Sequence, residues 1–283
     1  MPQDAEVPVA PVEPVRRMLH GAERIDEYGW MRRPDDPRLA AYLRAERRLY
    51  DVATGHLERL RTDLFDEVES RIPPTESSVS WRRGDCFYYT RTVTGSDYEQ
   101  FLSSRNKDDA GTVLLDGADF ADTSGYVEIG VRSVSPDGRF LAYSVDTTGD
   151  EVYALRYRDL ATMRDLPDAA PRSYYTGAWS ADSRTFFYTV HDDLYRPFQV
   201  WRHTLGSPAD TLVFQEDDAR FDVAVRESRS GRYVFVEAAS RETAETWLVS
   251  AVDAAAHPRS WCGRASGESS TASTTAGRPT GCT

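Results

Sequence analysis

After Pro74 the spacing of apolar residues along the chain changes from three-to-four to two. Before it, Leu39, Tyr42, Leu43, Leu49, Tyr50 and Ala53 recur at i, i+3, i+4 intervals among charged residues, a helical period that begins at Pro37. Asp36 supplies an N-cap, and Pro37 sits at the first helical position, where no amide hydrogen is needed. Thr54-Gly55 marks a break or kink. The period resumes with Leu57, Leu60, Leu64, Val68 and Ile72 until Pro73-Pro74 ends it, since proline cannot donate to the helical ladder. The pattern predicts two amphipathic helices, or one long kinked one. Residues 1–22 read as an extended, proline-punctuated arm.

Downstream, short runs rich in aromatic and β-branched residues alternate with turn residues. They fall into four groups: 80–106, 126–167, 174–214 and 221–253. Each reads as four strands, the first two joined by a tight turn. "SVSPDGRFLAYSVD" (133–146) returns as "AWSADSRTFFYTVHD" (178–192) and as "RESRSGRYVFVEAAS" (226–240), a repeat of about 45 residues. Asp137-Gly138 and Ser230-Gly231 suit a turn that needs positive φ, whereas Asp182-Ser183 keeps the polar turn without the glycine. In the strand after the first turn, Phe140 and Ala142 point one way, and Leu141, Tyr143 and Val145 the other. A strand apolar on both faces belongs to a sheet covered on both sides. Four-stranded units of this length stacked face to face are a β-propeller.

The expected fold is therefore mainly β, a partial propeller of about four blades of four antiparallel strands preceded by an α-helical extension. The expected divisions are an arm and helical extension at 1–75, an incomplete propeller at 76–256, and a disordered tail at 257–283. The tail is Ser, Thr, Gly and Ala with almost no large apolar residue after Trp261, too little to offset the entropy of ordering.

Composition narrows the classes of function. Forty per cent hydrophobic and 28% charged residues suit a soluble globular chain of 283 residues, long enough to bury a core. A net charge of −12 argues against nucleic acid and against anionic membrane surfaces as partners. The acidic, proline-rich start lacks the pattern of a secretory signal, so a cytoplasmic location is expected. Cys86, Cys262 and Cys282 show neither metal-ligand spacing nor a disulfide framework.

Each candidate constellation has a plainer explanation. His191-Asp192-Asp193 with His203 has no fixed ligand spacing and reads as an acidic loop rather than a metal site. Glu216-Asp217-Asp218 and Asp108-Asp109 lie in loops, where carboxylates are solvated turn formers rather than paired acids at a set separation. Tyr88, Tyr89, Tyr143, Phe186, Phe187, Tyr188 and Tyr233 recur at equivalent strand positions and are expected in the blade core. His20, His56 and His257 are expected at the surface. Arg32-Arg33 and Arg44, Arg47, Arg48, interleaved with Glu46 and Asp51, read as a solvated face, with Leu43 and Tyr50 exposed. No catalytic, cofactor-binding or metal-ligating residue is assigned, and no cofactor is expected.

Several phrases in order resemble the prolyl oligopeptidase family of serine peptidases. "RIDEYGWMRRPDDPRLAAYLRAE" (24–46) is similar to the family's opening, and "SVSWRRGDCFYYTRTVTGSDYEQF" (78–101) to its first blade. "FFYTVHDDLYRPFQVWRHTLGSPADTLVFQEDDARFDV" (186–223) resembles the oligopeptidase B branch. The resemblance implies an N-terminal extension, a seven-bladed propeller that gates access for short peptides, and an α/β-hydrolase domain with a Ser/Asp/His triad. For this branch it implies cleavage after Arg or Lys, with short basic peptides as partners.

Here the Gly-x-Ser-x-Gly nucleophile elbow is missing. "GRASG" (263–267) and Gly267-Glu268-Ser269 depart from the motif and lack the strand-turn-helix context. The expectation is a substrate-gating propeller region truncated before its catalytic domain and inactive alone, that domain being supplied elsewhere if at all. The change of composition near His257 fits a shift of reading frame. The competing expectations are a stand-alone, non-catalytic propeller used as a binding module, and a propeller hydrolase with its own acid or metal cluster.

Overall fold

The computed structural model describes residues 7–107, 109–121, 125–255 and 257–261. The chain divides into two units, Met1–Pro73 and Pro74–Thr283.

In the first unit the expected extended arm instead folds back on itself. Strands β1 (Val15–Leu19) and β2 (Ala22–Asp26) pair antiparallel from Val15 opposite Asp26 to Leu19 opposite Ala22. Between them His20 and Gly21 both take positive φ, 51° and 78°. Two such residues make the mirror-image turn whose twist matches a two-residue hairpin. The motif that follows has a physical role within this unit. Asp26 accepts from the Tyr28 N–H at 3.2 Å, and Trp30 is buried with its indole N–H donating to the Pro11 carbonyl at 2.7 Å. The Arg38 guanidinium lies 5.0 Å over the Trp30 ring.

Of the two helical alternatives, the structure has two helices. Helix α1 (Pro37–Thr54) and helix α2 (Glu58–Ser70) are separated by one 3-10 turn, Gly55–Leu57. The Asp36 side chain accepts from the Arg38 N–H at 3.0 Å and caps α1. Hydrogen bonding from the Arg38 side chain holds the Asp36 carboxyl down at about 2. Leu43, Tyr50, Leu64 and Phe65 stand exposed along the two helices.

The second unit contains four four-stranded antiparallel sheets, each wound in sequence order. Blade 1 is β3 (Trp81–Arg83), β4 (Cys86–Arg91), β5 (Gln100–Ser104) and β6 (Thr112–Asp116). Blade 2 is β7 (Glu128–Val134), β8 (Phe140–Asp146), β9 (Tyr153–Asp159) and β10 (Arg164–Ser173). Blade 3 is β11 (Gly177–Trp179), β12 (Thr185–His191), β13 (Pro197–Thr204) and β14 (Thr211–Gln215). Blade 4 is β15 (Asp222–Glu227), β16 (Tyr233–Ala239), β17 (Ala244–Ser250) and β18 (Arg259–Trp261). The last strand pairs with β17, from Thr246 opposite Trp261 to Leu248 opposite Arg259. It lies inside the segment expected to be tail, whose remainder from Cys262 is outside the described residues. First strands of successive blades are neighbours, β7 with β11 and β11 with β15.

Three apolar clusters fill the spaces between successive blades. Tyr88, Phe101, Leu141 and Tyr143 meet between blades 1 and 2. Phe140, Tyr157, Trp179 and Phe186 meet between blades 2 and 3, and Phe187, Val200, Val225 and Val236 between blades 3 and 4. Strand β8 is buried along its whole length, as its two apolar faces predict, because it feeds two of these clusters.

Blade 4 differs. Val234, Val236 and Ala238 are buried toward blade 3, while Tyr233, which opens the strand on its other face, is 39% exposed. Tyr233 therefore departs from the core position expected for it. Its side of β16 faces away from blade 3.

The sequence repeat is a repeat of turns. Ser135, Ser180 and Ser228, all buried, each donate a backbone hydrogen bond across the turn, to Phe140, Thr185 and Tyr233 respectively, at 2.7 to 2.8 Å. Their hydroxyls bond the same partners or the turn's own polar side chains. Gly138 and Gly231 take φ of 75° and 67°, and Ser183 takes 60° at the corresponding place.

Candidate functional site

Three meeting places of polar side chains among the described residues of the propeller unit bear on function. The first is His203 on β13. Its Nε2 is 2.9 Å from an Asp168 oxygen on β10, and its Nδ1 is 2.6 Å from an Asp210 oxygen just before β14. The ring stacks on Tyr157 at 5.2 Å, and the Tyr188 hydroxyl donates to the other Asp210 oxygen at 2.5 Å. Asp168 also accepts from the Gly206 N–H at 2.6 Å. Burial, and then the bond to Asp210, push the Tyr188 phenol far above its ordinary range. The side chains of His203 and Asp168 are 5% and 8% exposed. A general base needs a free lone pair within reach of a substrate proton. Both His203 nitrogens are already occupied by carboxylates, so the cluster ties blade 2 to blade 3.

The second place is the His191–Arg196 loop between β12 and β13. His191 Nδ1 lies 2.7 Å from the Asp192 carbonyl, and Asp192 accepts from the Leu194 and Arg196 N–H groups at 2.9 and 3.1 Å. Burial works against the Asp192 charge, but these bonds and the Arg196 guanidinium hold its carboxyl below the usual range. Asp192 thus closes its own loop, and His191 and His203 have separate partners. In the next loop, Glu216 accepts from the Asp218 N–H at 3.0 Å, and Asp218 is bound by Arg220 at 2.6 Å. That hydrogen bond from Arg220 lowers Asp218 to about 2. Glu216 and Asp218 form turns, as expected, but Glu216 is buried rather than solvated. Asp109 accepts from Asn106 at 2.9 Å, and Asp108 lies outside the described residues.

The third place is the end of two first strands. Arg83, closing β3, pairs with Glu227, closing β15, at 2.9 Å. Sequence reasoning missed this pair, and it missed Asp168 and Asp210. None carries a local motif: Asp168, Arg83 and Glu227 each act on a residue from a different blade, and Asp210 acts within blade 3 on His203 seven residues away and on Tyr188.

His20, His56 and His257 are exposed. Tyr88, Tyr89, Tyr143, Phe186, Phe187 and Tyr188 are buried in the blades. Arg32 pairs with Asp26 and Arg47 with Asp51 in exposed ion pairs. Residues 263–269, Cys262 and Cys282 fall outside the described part of the chain. Among the described residues no group of three or more His, Cys, Asp or Glu is placed to hold a metal ion. Among them, too, no helix is long and apolar enough to cross a membrane.

Four wound sheets with shared inter-blade cores are the architecture of a propeller domain. A model of the prolyl oligopeptidase N-terminal β-propeller domain matches residues 8–271. The chain belongs to the prolyl oligopeptidase family. Dipeptidyl aminopeptidase BI of Pseudoxanthomonas mexicana is 36% identical over 251 residues, covering 80% of this chain and 34% of that protein. Protease 2 of Moraxella lacunata is 30% identical over 254 residues, covering 86% and 37%. Oligopeptidase B from Leishmania major matches with a TM-score of 0.80 at 24% identity, over 91% of this chain and 39% of that one. The chain thus spans between about a third and two-fifths of the length of these prolyl oligopeptidase relatives.

Proposed function

We propose that this chain is the substrate-gating propeller region of an oligopeptidase B-like serine peptidase, which cleaves short peptides after Arg or Lys. In this reading the propeller performs no bond cleavage. A Ser/Asp/His triad on an α/β-hydrolase domain supplies the nucleophile, the base and the orienting acid, which act as a unit. The observation that carries the reading is the family match over residues 8–271, which covers all four blades. The state of the buried histidine supports it. His203 is locked between two carboxylates rather than poised beside a hydroxyl or thiol.

A chimera tests the proposal. This chain replaces the matched segment of a relative such as Protease 2, and cleavage of a short Arg-containing fluorogenic peptide is compared with cleavage of a folded protein of tens of kilodaltons. The expected chimera cleaves the peptide and spares the protein, while the chain alone cleaves neither. Cleavage of both substrates by the chimera, or of the peptide by the chain alone, would overturn it.

A further inference from the structure

Where the first strands of blades 3 and 4 begin, Tyr174, Tyr175, Tyr195 and Asp222 border a pocket of about 480 Å³. The Tyr174 and Tyr175 ring centroids are 3.9 Å apart, and Tyr175 and Tyr195 are 49% and 48% exposed. Trp81, Tyr126 and Tyr233 are also partly exposed in this unit, but Tyr175 and Tyr195 come from two loops to border one pocket.

The wall behind these rings contains an unsatisfied group. His191, 3% exposed, meets the Tyr174 ring edge-on at 5.9 Å and stacks on Tyr195 at 5.2 Å. Its Nδ1 faces a carbonyl oxygen, which only accepts, so Nδ1 carries a proton donated there. Nε2 is buried without a hydrogen-bond partner among the described residues. A buried polar atom of this kind calls for an explanation.

The rim is negatively charged. Glu237 is already engaged by Arg226 through two bonds of 2.8 and 2.9 Å. Asp222 is exposed and has neither an ion pair nor a side-chain hydrogen bond among the described residues. Burial, the Tyr175 hydroxyl, and the charges of Glu151 and Asp222 push the Tyr174 phenol well above its ordinary range, as a negative potential at this spot requires.

We propose that this pocket binds an organic cation, the guanidinium or ammonium group of a basic side chain. Aromatic faces attract such a cation through their quadrupole, and the unpaired Asp222 carboxylate supplies the counter-charge. An anion would face Asp222, and an apolar ligand would leave Asp222 unanswered. The site is built entirely from blades 3 and 4, so it stands whether or not a peptidase domain accompanies the chain.

The test is titration of the full 283-residue chain with Nα-acetyl-arginine amide, followed by calorimetry and by tyrosine ring shifts. The neutral isostere Nα-acetyl-citrulline amide is the control. Saturable binding of the arginine amide is expected, with the citrulline amide about tenfold weaker or worse. Asp222→Asn and Tyr175→Leu are each expected to weaken binding about fivefold without moving the thermal midpoint. Equal binding of the two amides, absence of saturation, or an unchanged affinity in Asp222→Asn would overturn the proposal. Should Tyr175→Leu disturb folding, Asp222→Asn decides alone, since Asp222 holds no structural partner. A chimera that gates substrates normally but shows no such binding sinks this inference and leaves the gating reading intact.

Discussion

The backbone N–H of Asp137 donates to the hydroxyl of Ser183, 3.0 Å away, joining the turn of blade 2 to the turn of blade 3. Ser183 holds a φ of 60°, a conformation its neighbours in the repeat reach with glycine. The side chain that makes this backbone costly is therefore the one that links the blades. The strain of a left-handed non-glycine residue, about 1–2 kcal/mol, is offset by a part-buried hydrogen bond of similar size.

Two substitutions at this position separate the terms. Ser183→Ala keeps the strain and loses the acceptor, and it is expected to destabilise the propeller by about 1 kcal/mol. Ser183→Gly loses the acceptor but relieves the strain, and it should be within about 0.5 kcal/mol of the parent. Urea midpoints of the two variants check the order, and an alanine variant as stable as the glycine variant would contradict it.

Glycines at Gly177 and Gly55 should respond in opposite directions to alanine. A Cβ at Gly177 would lie 2.4 Å from the Phe186 ring, which is fully buried between blades 2 and 3, so the ring must shift. Overpacking of this kind costs about 1–3 kcal/mol. At Gly55, between α1 and α2, nothing lies within 4 Å and φ is −55°. Gly55→Ala should therefore raise helix content and stabilise the first unit by about 0.5–1 kcal/mol. Far-UV circular dichroism on heating reads both effects.

The Arg83–Glu227 pair joins the first and fourth blades, with each side chain 28% exposed. A double-mutant cycle with Arg83→Ala and Glu227→Ala should give a coupling of about 0.5–1 kcal/mol that shrinks as salt is raised. A coupling of zero at low salt would mean that the two blade ends do not hold one another.

Tyr143 should ionise late. It is fully buried on β8, and its hydroxyl donates to Asp165 at 2.7 Å. Burial, and then the bond to Asp165, push the phenol up to about 12 from 10.0. A group whose neutral form is favoured in the fold contributes stability in full below its unfolded pKa and loses it as pH rises through the folded value. The stability gap between the parent and Tyr143→Phe should accordingly be constant below about pH 10 and narrow between 10 and 12. Denaturation midpoints across that range, with tyrosinate absorbance, make the measurement.

Much of the fold was legible because it is built from local rules. Asp36-Pro37 opened a helix, and Gly138 and Gly231 closed turns, through steric preferences that act within a few residues. The apolar pattern of Phe140–Val145 announced two buried faces before any neighbour was known. The hairpin at His20-Gly21 was hidden because its strands, Val15–Leu19 and Ala22–Asp26, carry charged residues in place of an alternating apolar pattern. Strand β18 was hidden because the three residues Arg259–Trp261 are too few to show an alternating pattern.

The candidate sites were far less legible than the fold. Tyr174-Tyr175, Tyr195 and Asp222 are ordinary loop residues in one dimension, as are Asp168 and Asp210 around His203.

The sequence by itself determined the helices, the turn chemistry, the four-stranded repeat and the family. These depend on short-range periodicity and on phrases in a fixed order. Tertiary structure decided which charges meet, which serine replaces a glycine, and which aromatic rings stay half exposed. Those outcomes depend on the register between blades some 45 residues apart, a distance over which side-chain contacts leave no periodic trace.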